Sequence, residues 1–155
     1  MMKRLLLTGC LLYAIAPAQA DFESGMAAFE NEEFEEAARL WRPVALEGHA
    51  EAQLNMGMLH ETGQGVDRNL PEAVEWYRKA ADRGVGTAQF DLGGMYFLAK
   101  GVEEDLVEAY KWLSLAAMNE IDEADTAFYL CIDRMSAEEI ALAQSRTEEW
   151  NLVQD

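Results

Sequence analysis

The feature that most constrains the fold of this chain is an internal repeat of 36 residues, seen when Gly48 is placed over Gly84. In this register twelve residues are identical within one period, far more than chance gives for a chain compared with itself. Besides Gly48/Gly84, the identical pairs are Ala52/Ala88, Gln53/Gln89, Gly57/Gly93, Gly65/Gly101, Val66/Val102, Leu70/Leu106, Glu72/Glu108, Ala73/Ala109, Trp76/Trp112, Ala80/Ala116 and Ala81/Ala117. A period of this length is typical of solenoids, in which one supersecondary unit stacks on the next.

Each repeat has the pattern of two helices joined by a loop. Helix A is predicted at about 50–61, and Gly63 and Gly65 in the following loop permit positive φ. Helix B begins near Asn69, with Glu72 three residues later as in a capping box, and its apolar residues recur at spacings of three and four. No strand-like alternation is present. The pattern therefore predicts an all-α protein built from stacked helix-turn-helix units.

The repeats predict the domain organisation. One domain is expected over 21–155, with repeat units at about 22–47, 48–83 and 84–119 and capping helices at about 121–152. Ser136 with Glu139 predicts the start of the closing helix. Such caps are needed because a terminal repeat has no neighbour to cover its apolar face.

The repeat residues carry a resemblance to a known family. Ala52-x4-Gly57, Gly63-x-Gly65-Val66 and Ala73-x2-Trp76-Tyr77-x2-Ala80-Ala81 resemble the Sel-like repeat (SLR) family, a branch of the tetratricopeptide (TPR) superfamily, in its secreted bacterial form. The resemblance implies a right-handed α/α solenoid that binds proteins on a concave surface. Two departures stand out: Ala99 replaces the first loop glycine, which predicts a less tight loop, and 113–115 is Leu-Ser-Leu in place of Tyr-Arg-Lys.

The N-terminus has the pattern of a bacterial secretory signal peptide at residues 1–20. Lys3 and Arg4 precede an apolar run that is shorter than the about 20 residues of a membrane span, and a small-x-small motif ends at Ala20. Cleavage after Ala20 would place the mature protein in the periplasm or outside the cell, with no integral membrane span. It would leave Cys131 as the one cysteine, which excludes an internal disulfide.

The charge of the chain restricts its partners. Twenty-nine acidic residues against twelve Lys and Arg give a net charge of −17, which becomes −19 when Lys3 and Arg4 are removed. Such a surface repels nucleic acid and anionic membranes. It either serves solubility or attracts a basic protein partner.

The sequence contains no pattern for catalysis, a cofactor or a metal. It has two histidines, His49 and His60, without an H-E-x-x-H motif or a cysteine pair, and it has no G-x-S-x-G motif. His60 aligns with the aromatic Tyr96 and is expected in the core or groove. The chain is predicted not to be an enzyme.

The resemblance implies that helix A of each unit lines the partner surface. Many residues expected there are apolar, which suits an amphipathic basic helix or an extended segment. The alternative is that tight superhelical curvature buries them against adjacent helices. The candidate partner-binding residues are Met26, Phe29, Glu51, Leu54, Met58, Glu61, Phe90, Phe97 and Leu98.

Three functions are consistent with these observations. The first is a periplasmic interaction module, in the form that the resemblance implies for some members: an inhibitor or immunity protein of a secreted effector such as a type VI secretion phospholipase. The second is a scaffold for envelope assembly or regulation. The third is a hydrolase of the β-lactamase-like kind, but the paired cysteines of the members linked to that activity are absent here.

Overall fold

The computed structural model describes residues 17–154, and within them it contains eight helices and no strand. The helices are α1 (Pro17–Glu30), α2 (Phe34–Leu46), α3 (Ala50–Thr62), α4 (Leu70–Ala81), α5 (Gly86–Phe97), α6 (Leu106–Met118), α7 (Ala124–Ile132) and α8 (Ala137–Gln154). Most of the predicted signal peptide lies outside the described residues. Its cleavage motif, residues 18–20, lies in the first turn of α1.

The helices form consecutive pairs that stack into an all-α solenoid. Each even-numbered helix up to α6 packs against the odd-numbered helix before it and the odd-numbered helix after it. The predicted all-α solenoid is confirmed. The arrangement buries alanines, tryptophans and leucines in two neighbouring apolar clusters, one around Trp41 and Met56 and the other around Tyr77, Leu92 and Trp112.

One glycine in the first helix of each pair lets the second helix approach closely. A Cβ added at Gly25 would lie 2.4 Å from the ring of Trp41, and one added at Gly57 would lie 2.6 Å from the ring of Tyr77. A Cβ at Gly93 would lie 2.8 Å from the Leu113 side chain. Since real Cβ atoms do not approach other atoms so closely, these positions require glycine as long as the aromatic and leucine side chains pack there.

Residues at two further positions of the repeat, a loop glycine and a buried glutamine, hold each pair of helices to the pair before it. The loop glycines Gly65 and Gly101 have φ of 67° and 70° and lie against the backbone of Phe34 and Leu70, at the start of α2 and α4. The buried side chains of Gln53 and Gln89 donate to the carbonyl oxygens of Ala45 and Ala81, at 2.9 and 3.2 Å. These carbonyls belong to the last turns of α2 and α4, where helices leave acceptors without intrahelical donors.

The predicted helix starts are confirmed by their caps. The Asn69 side chain accepts from the N–H of Glu72 at 3.2 Å, and Asp105 accepts from the N–H groups of Val107 and Glu108 at 3.0 Å. Ser136 and Glu139 form a reciprocal capping box at the start of α8, with distances of 2.8 and 3.2 Å. Side-chain caps of this kind contribute about 1 kcal/mol each.

The last two helices cover the end of the third pair. Both α7 and α8 pack on α6. Trp150 of α8 meets Trp112 edge to face at 6.1 Å. Leu113 and Leu115 are fully buried, so the departure at 113–115 makes α6 a more buried helix. Cys131 is buried, and burial raises the pKa of its thiol to about 11, which disfavours the nucleophilic thiolate at neutral pH.

Ala99 adopts the conformation of the glycine that it replaces. Its φ is 53°, close to the 77° of Gly63, so the loop keeps the left-handed turn and the expected loosening is not seen. A left-handed residue with a Cβ costs about 1–2 kcal/mol relative to a right-handed one.

Replacing Ala99 with glycine should therefore stabilise the protein by about 1 kcal/mol, because glycine removes the strain at positive φ. Thermal or urea unfolding followed by circular dichroism measures the change. The matched control is Ala141→Gly on the exposed face of α8, which should destabilise the protein by up to about 1 kcal/mol. Destabilisation by both substitutions would contradict the strain at Ala99.

Candidate partner-binding surface

A cavity of about 200 Å³ opens between α3 and α5, on the surface that the sequence predicts to bind a partner. Its walls are mostly apolar, and two carboxylates and one ammonium group complete them. The lining residues are Glu61, Phe90, Asp91, Gly94, Met95, Leu98 and Lys100. Three of the nine candidate residues, Glu61, Phe90 and Leu98, are thus brought together.

The other six candidate residues lie outside this cavity. Met26 and Phe29 pack partly against the N-terminal cluster around Trp41, and Leu54 packs partly against the C-terminal cluster. Glu51 is exposed beside the imidazole of His49, and Met58 is half-buried. Phe97 lies beneath the guanidinium of Arg134, whose carbon is 5.0 Å from the ring centroid.

The side chains of the candidate residues are partly accessible to solvent. None of the nine is fully buried: seven are half-buried, whereas Glu51 and Leu98 are exposed. Leu98 has 57% of its surface exposed, at the end of α5. The α3–α5 cavity is therefore where these residues combine accessible apolar surface with charge.

Asp91 gives the cavity its electrostatic character. Burial raises the pKa of this carboxyl to about 7, and the negative charge of Glu61 contributes to the rise. Within residues 17–154 no group forms a hydrogen bond or salt bridge with it, and Lys100 on the cavity wall is beyond salt-bridge distance. A carboxylate held without a partner in a largely apolar cavity favours a cation as its ligand.

Glu61, in contrast, has an internal partner. Its carboxylate accepts a hydrogen bond of 2.8 Å from the hydroxyl of Tyr77. Burial raises the pKa of Tyr77 above its usual value, and the charges of Asp91 and Glu61 add to this, so the phenol stays protonated and keeps donating. Tyr77 also packs on Gly57, which links the cavity wall to the helix contact of the repeat.

A polar group recurs at each junction between pairs. His60 is buried with Nε2 3.2 Å from Glu72, and the guanidinium of Arg42 lies 3.8 Å from the same carboxylate. One period later, the guanidinium of Arg78 donates a hydrogen bond to the hydroxyl of Tyr96. The Glu108 carboxylate accepts hydrogen bonds from the Trp112 indole at 3.2 Å and from the Arg146 guanidinium at 2.9 Å. His60 thus takes the buried position of an aromatic residue, as expected, and lies against the Glu72 carboxylate to which Arg42 of the preceding pair also extends.

Asp91, Met95 and Lys100 of the cavity wall were not among the residues predicted from the sequence. A signal for Asp91 was present, because it is the one charged residue of α5 and lies between Phe90 and Leu92. An acid in an otherwise apolar helix marks either a buried pair or a binding site. The approach of α3 to α5, which brings the charge of Glu61 close enough to raise the pKa of Asp91, depends on the tertiary structure.

The described residues contain no group of three or more His, Cys, Asp or Glu placed to hold a metal ion. None of the helices between residues 17 and 154 is long and apolar enough to cross a membrane.

The fold and the repeat residues define an all-α solenoid of short helical repeats. The Sel1 repeat model matches residues 50–85 and 86–120, two residues later than the start of each predicted unit. Residues 50–120 therefore form two Sel1 repeats, which supports membership of the Sel1-like repeat family. Proteins of this family are protein–protein interaction modules, and their fold is typically a binding scaffold without catalytic activity.

Solved structures agree with this assignment. A protective antigen present in uropathogenic Escherichia coli strains, which displays an SLR fold, superposes with a TM-score of 0.80 at 29% identity over 86% of this chain. This chain covers 29% of the length of that protein. A Sel1 repeat protein from Oxalobacter formigenes superposes with a TM-score of 0.67 at 29% identity, over 73% of this chain and 88% of the other. No curated protein matches the sequence.

The raised pKa of Asp91 predicts a pH-dependent stability. The folded state binds a proton at Asp91 more tightly than the unfolded state does. The stability that this proton adds is fully present below about pH 4 and is lost as the pH rises through about 7. Asp91→Asn should therefore stabilise the protein by about 2 kcal/mol at pH 8, allowing for partial exposure, and by little at pH 4.

Urea unfolding at a series of pH values measures this difference. Asp67→Asn is the matched control, because Asp67 lies exposed in the loop after α3. If the two substitutions change the free energy of unfolding equally at pH 8, the charge of Asp91 does not destabilise the folded protein.

Proposed function

We propose that this protein binds a protein partner through the α3–α5 surface and that a basic side chain of the partner enters the cavity. The observation that supports the proposal is the unpaired Asp91 carboxylate at the cavity wall, beside the apolar Phe90 and Leu98. A lysine or arginine would pack its aliphatic stem on these apolar side chains and place its charge at the carboxylate.

The overall charge supports a basic partner. A net charge of −17 accelerates encounter with a positively charged surface and repels acidic proteins. Rim charges of this kind mostly determine the association rate, whereas the buried contact at Asp91 would determine how long the complex lasts. The partner is thus expected to have a basic patch around the side chain that enters the cavity.

The proposed location is the periplasm, after cleavage of residues 1–20. The support for it is the order of basic residues, apolar run and small-x-small motif at the N-terminus. Removing these residues shortens α1 by its first turn and removes the contact of Ala18 with the N-terminal cluster. The rest of α1 keeps its glycine contact with Trp41.

Inhibition of a secreted effector is the form of this function that the charge favours. An effector that acts on phospholipids or nucleic acids needs a basic surface to bind an anionic substrate. An acidic binding protein would cover that surface and compete with the substrate. A scaffold of the cell envelope would instead bind several proteins at once, which the experiment below distinguishes.

The proposal predicts that Leu98→Lys weakens partner binding at least tenfold, because it places a positive charge on the cavity wall where the basic side chain of the partner would enter. The tagged protein is recovered from the periplasmic fraction, its partner is identified, and the affinity is measured by titration calorimetry. The recovered protein should begin at Asp21. One stoichiometric partner whose activity is blocked supports inhibition, and several envelope proteins support a scaffold.

Leu46→Lys is the matched control, since Leu46 is 67% exposed on α2 and the charge change is the same. It should alter the affinity less than twofold. Equal loss of binding in both variants, with circular dichroism unchanged, would mean that the partner does not bind at the α3–α5 surface. A full-length chain that keeps residues 1–20 in the cytoplasm would contradict the proposed location.

A further inference from the structure

The last pair of helices differs from the other pairs in a way that leaves a cleft open. In the first three pairs the two helices pack tightly against each other, whereas α7 and α8 both rest on α6 and have little contact with each other. A cleft of about 520 Å³ lies over α6 between them.

Three aromatic side chains line this cleft, one on its floor and two on the wall that α7 forms. Tyr110 and Phe128 have ring centroids 4.8 Å apart, and Phe128 meets Tyr129 edge to face at 5.8 Å. Tyr129 and Met118 are 66% and 68% exposed, although large apolar side chains are normally covered in a protein core. Aromatic and methionine side chains are the usual anchors of adaptable protein interfaces.

The charges of the cleft are of one sign. Asp125 of α7 and Glu148 of α8 face it from opposite sides, and within residues 17–154 no lysine or arginine lines it. Aromatic rings attract cations through their negative faces, and the two carboxylates add to this attraction. The cleft therefore complements a segment that carries apolar and basic side chains together.

The shape of the cleft favours a helix. Its floor follows α6 from Tyr110 to Met118, eight residues or about 12 Å of helix. A bound helix presents anchors at positions i, i+4 and i+7, which span about 10 Å. We propose that the cleft between α7 and α8 is a docking site for a basic amphipathic helix of a protein partner, seated on Tyr110, Met118, Phe128 and Tyr129.

This site is separate from the α3–α5 cavity, with which it shares no lining residue. The inference is therefore independent of the proposed function. Asp91→Asn, which alters the α3–α5 cavity, should leave binding at the cleft unchanged.

The test uses a synthetic amphipathic peptide of leucine and lysine, about 14 residues or four helical turns long. Its controls are a scrambled peptide of the same composition and a leucine–glutamate peptide of the same pattern. Binding is measured by titration calorimetry at physiological salt, with each protein variant first checked by circular dichroism. The leucine–lysine helix should bind at least tenfold more tightly than either control.

Two substitutions locate the binding. Tyr129→Ala and Met118→Lys should each weaken binding at least tenfold, because they remove an anchor or place a positive charge on the floor. Leu46→Lys makes the same charge change at an equally exposed leucine on α2 and should weaken binding less than twofold.

Three results would overturn the inference. Equal weakening by Met118→Lys and Leu46→Lys would mean that the peptide binds through net charge alone. A wild-type protein that does not bind the peptide up to about 1 mM would mean that the cleft has no affinity for such a helix. A concentration-dependent dimer in sedimentation that Met118→Lys abolishes would assign the cleft to a second copy of the chain.

Discussion

The close contact between the two helices of a pair is the interaction on which the rest of the structure depends. Gly25, Gly57 and Gly93 remove the Cβ at the point of contact, so an aromatic or leucine side chain of the second helix can lie directly on the first. Buried Gln53 and Gln89 then bond each pair to the last turn of the preceding one. Stability is thus the sum of contacts within and between neighbouring units, as expected for a solenoid.

Most of the fold could be predicted from the sequence because these contacts recur in register. The glycine and glutamine positions, the caps at Asn69 and Asp105 and the capping box at Ser136 are local or periodic signals that one chain displays by itself. Ala99 shows the limit of such signals. Its neighbours hold it at positive φ although its side chain disfavours that conformation.

The candidate site was predicted less completely, because it depends on how helices from successive pairs come together. Glu61, Phe90 and Leu98 were predicted from their places on helix A, and they share one cavity. The same cavity contains Asp91, whose pKa is raised by the depth of its burial and by the nearness of Glu61. Spacing along the chain encodes neither quantity. The divergence of α7 from α8 likewise follows from their separate packing on α6.

The stability of two glycine variants tests the central contact most directly. A Cβ at Gly57 would meet the Tyr77 ring at 2.6 Å, whereas one at Gly94 would meet nothing within 4 Å, although both glycines are helical. Gly57→Ala should destabilise the protein by about 1–3 kcal/mol despite the higher helix propensity of alanine, and Gly94→Ala should stabilise it by up to about 1 kcal/mol. If urea unfolding shows that both alanines stabilise the protein equally, the helices do not depend on glycine for their contact, and this explanation of the fold is wrong.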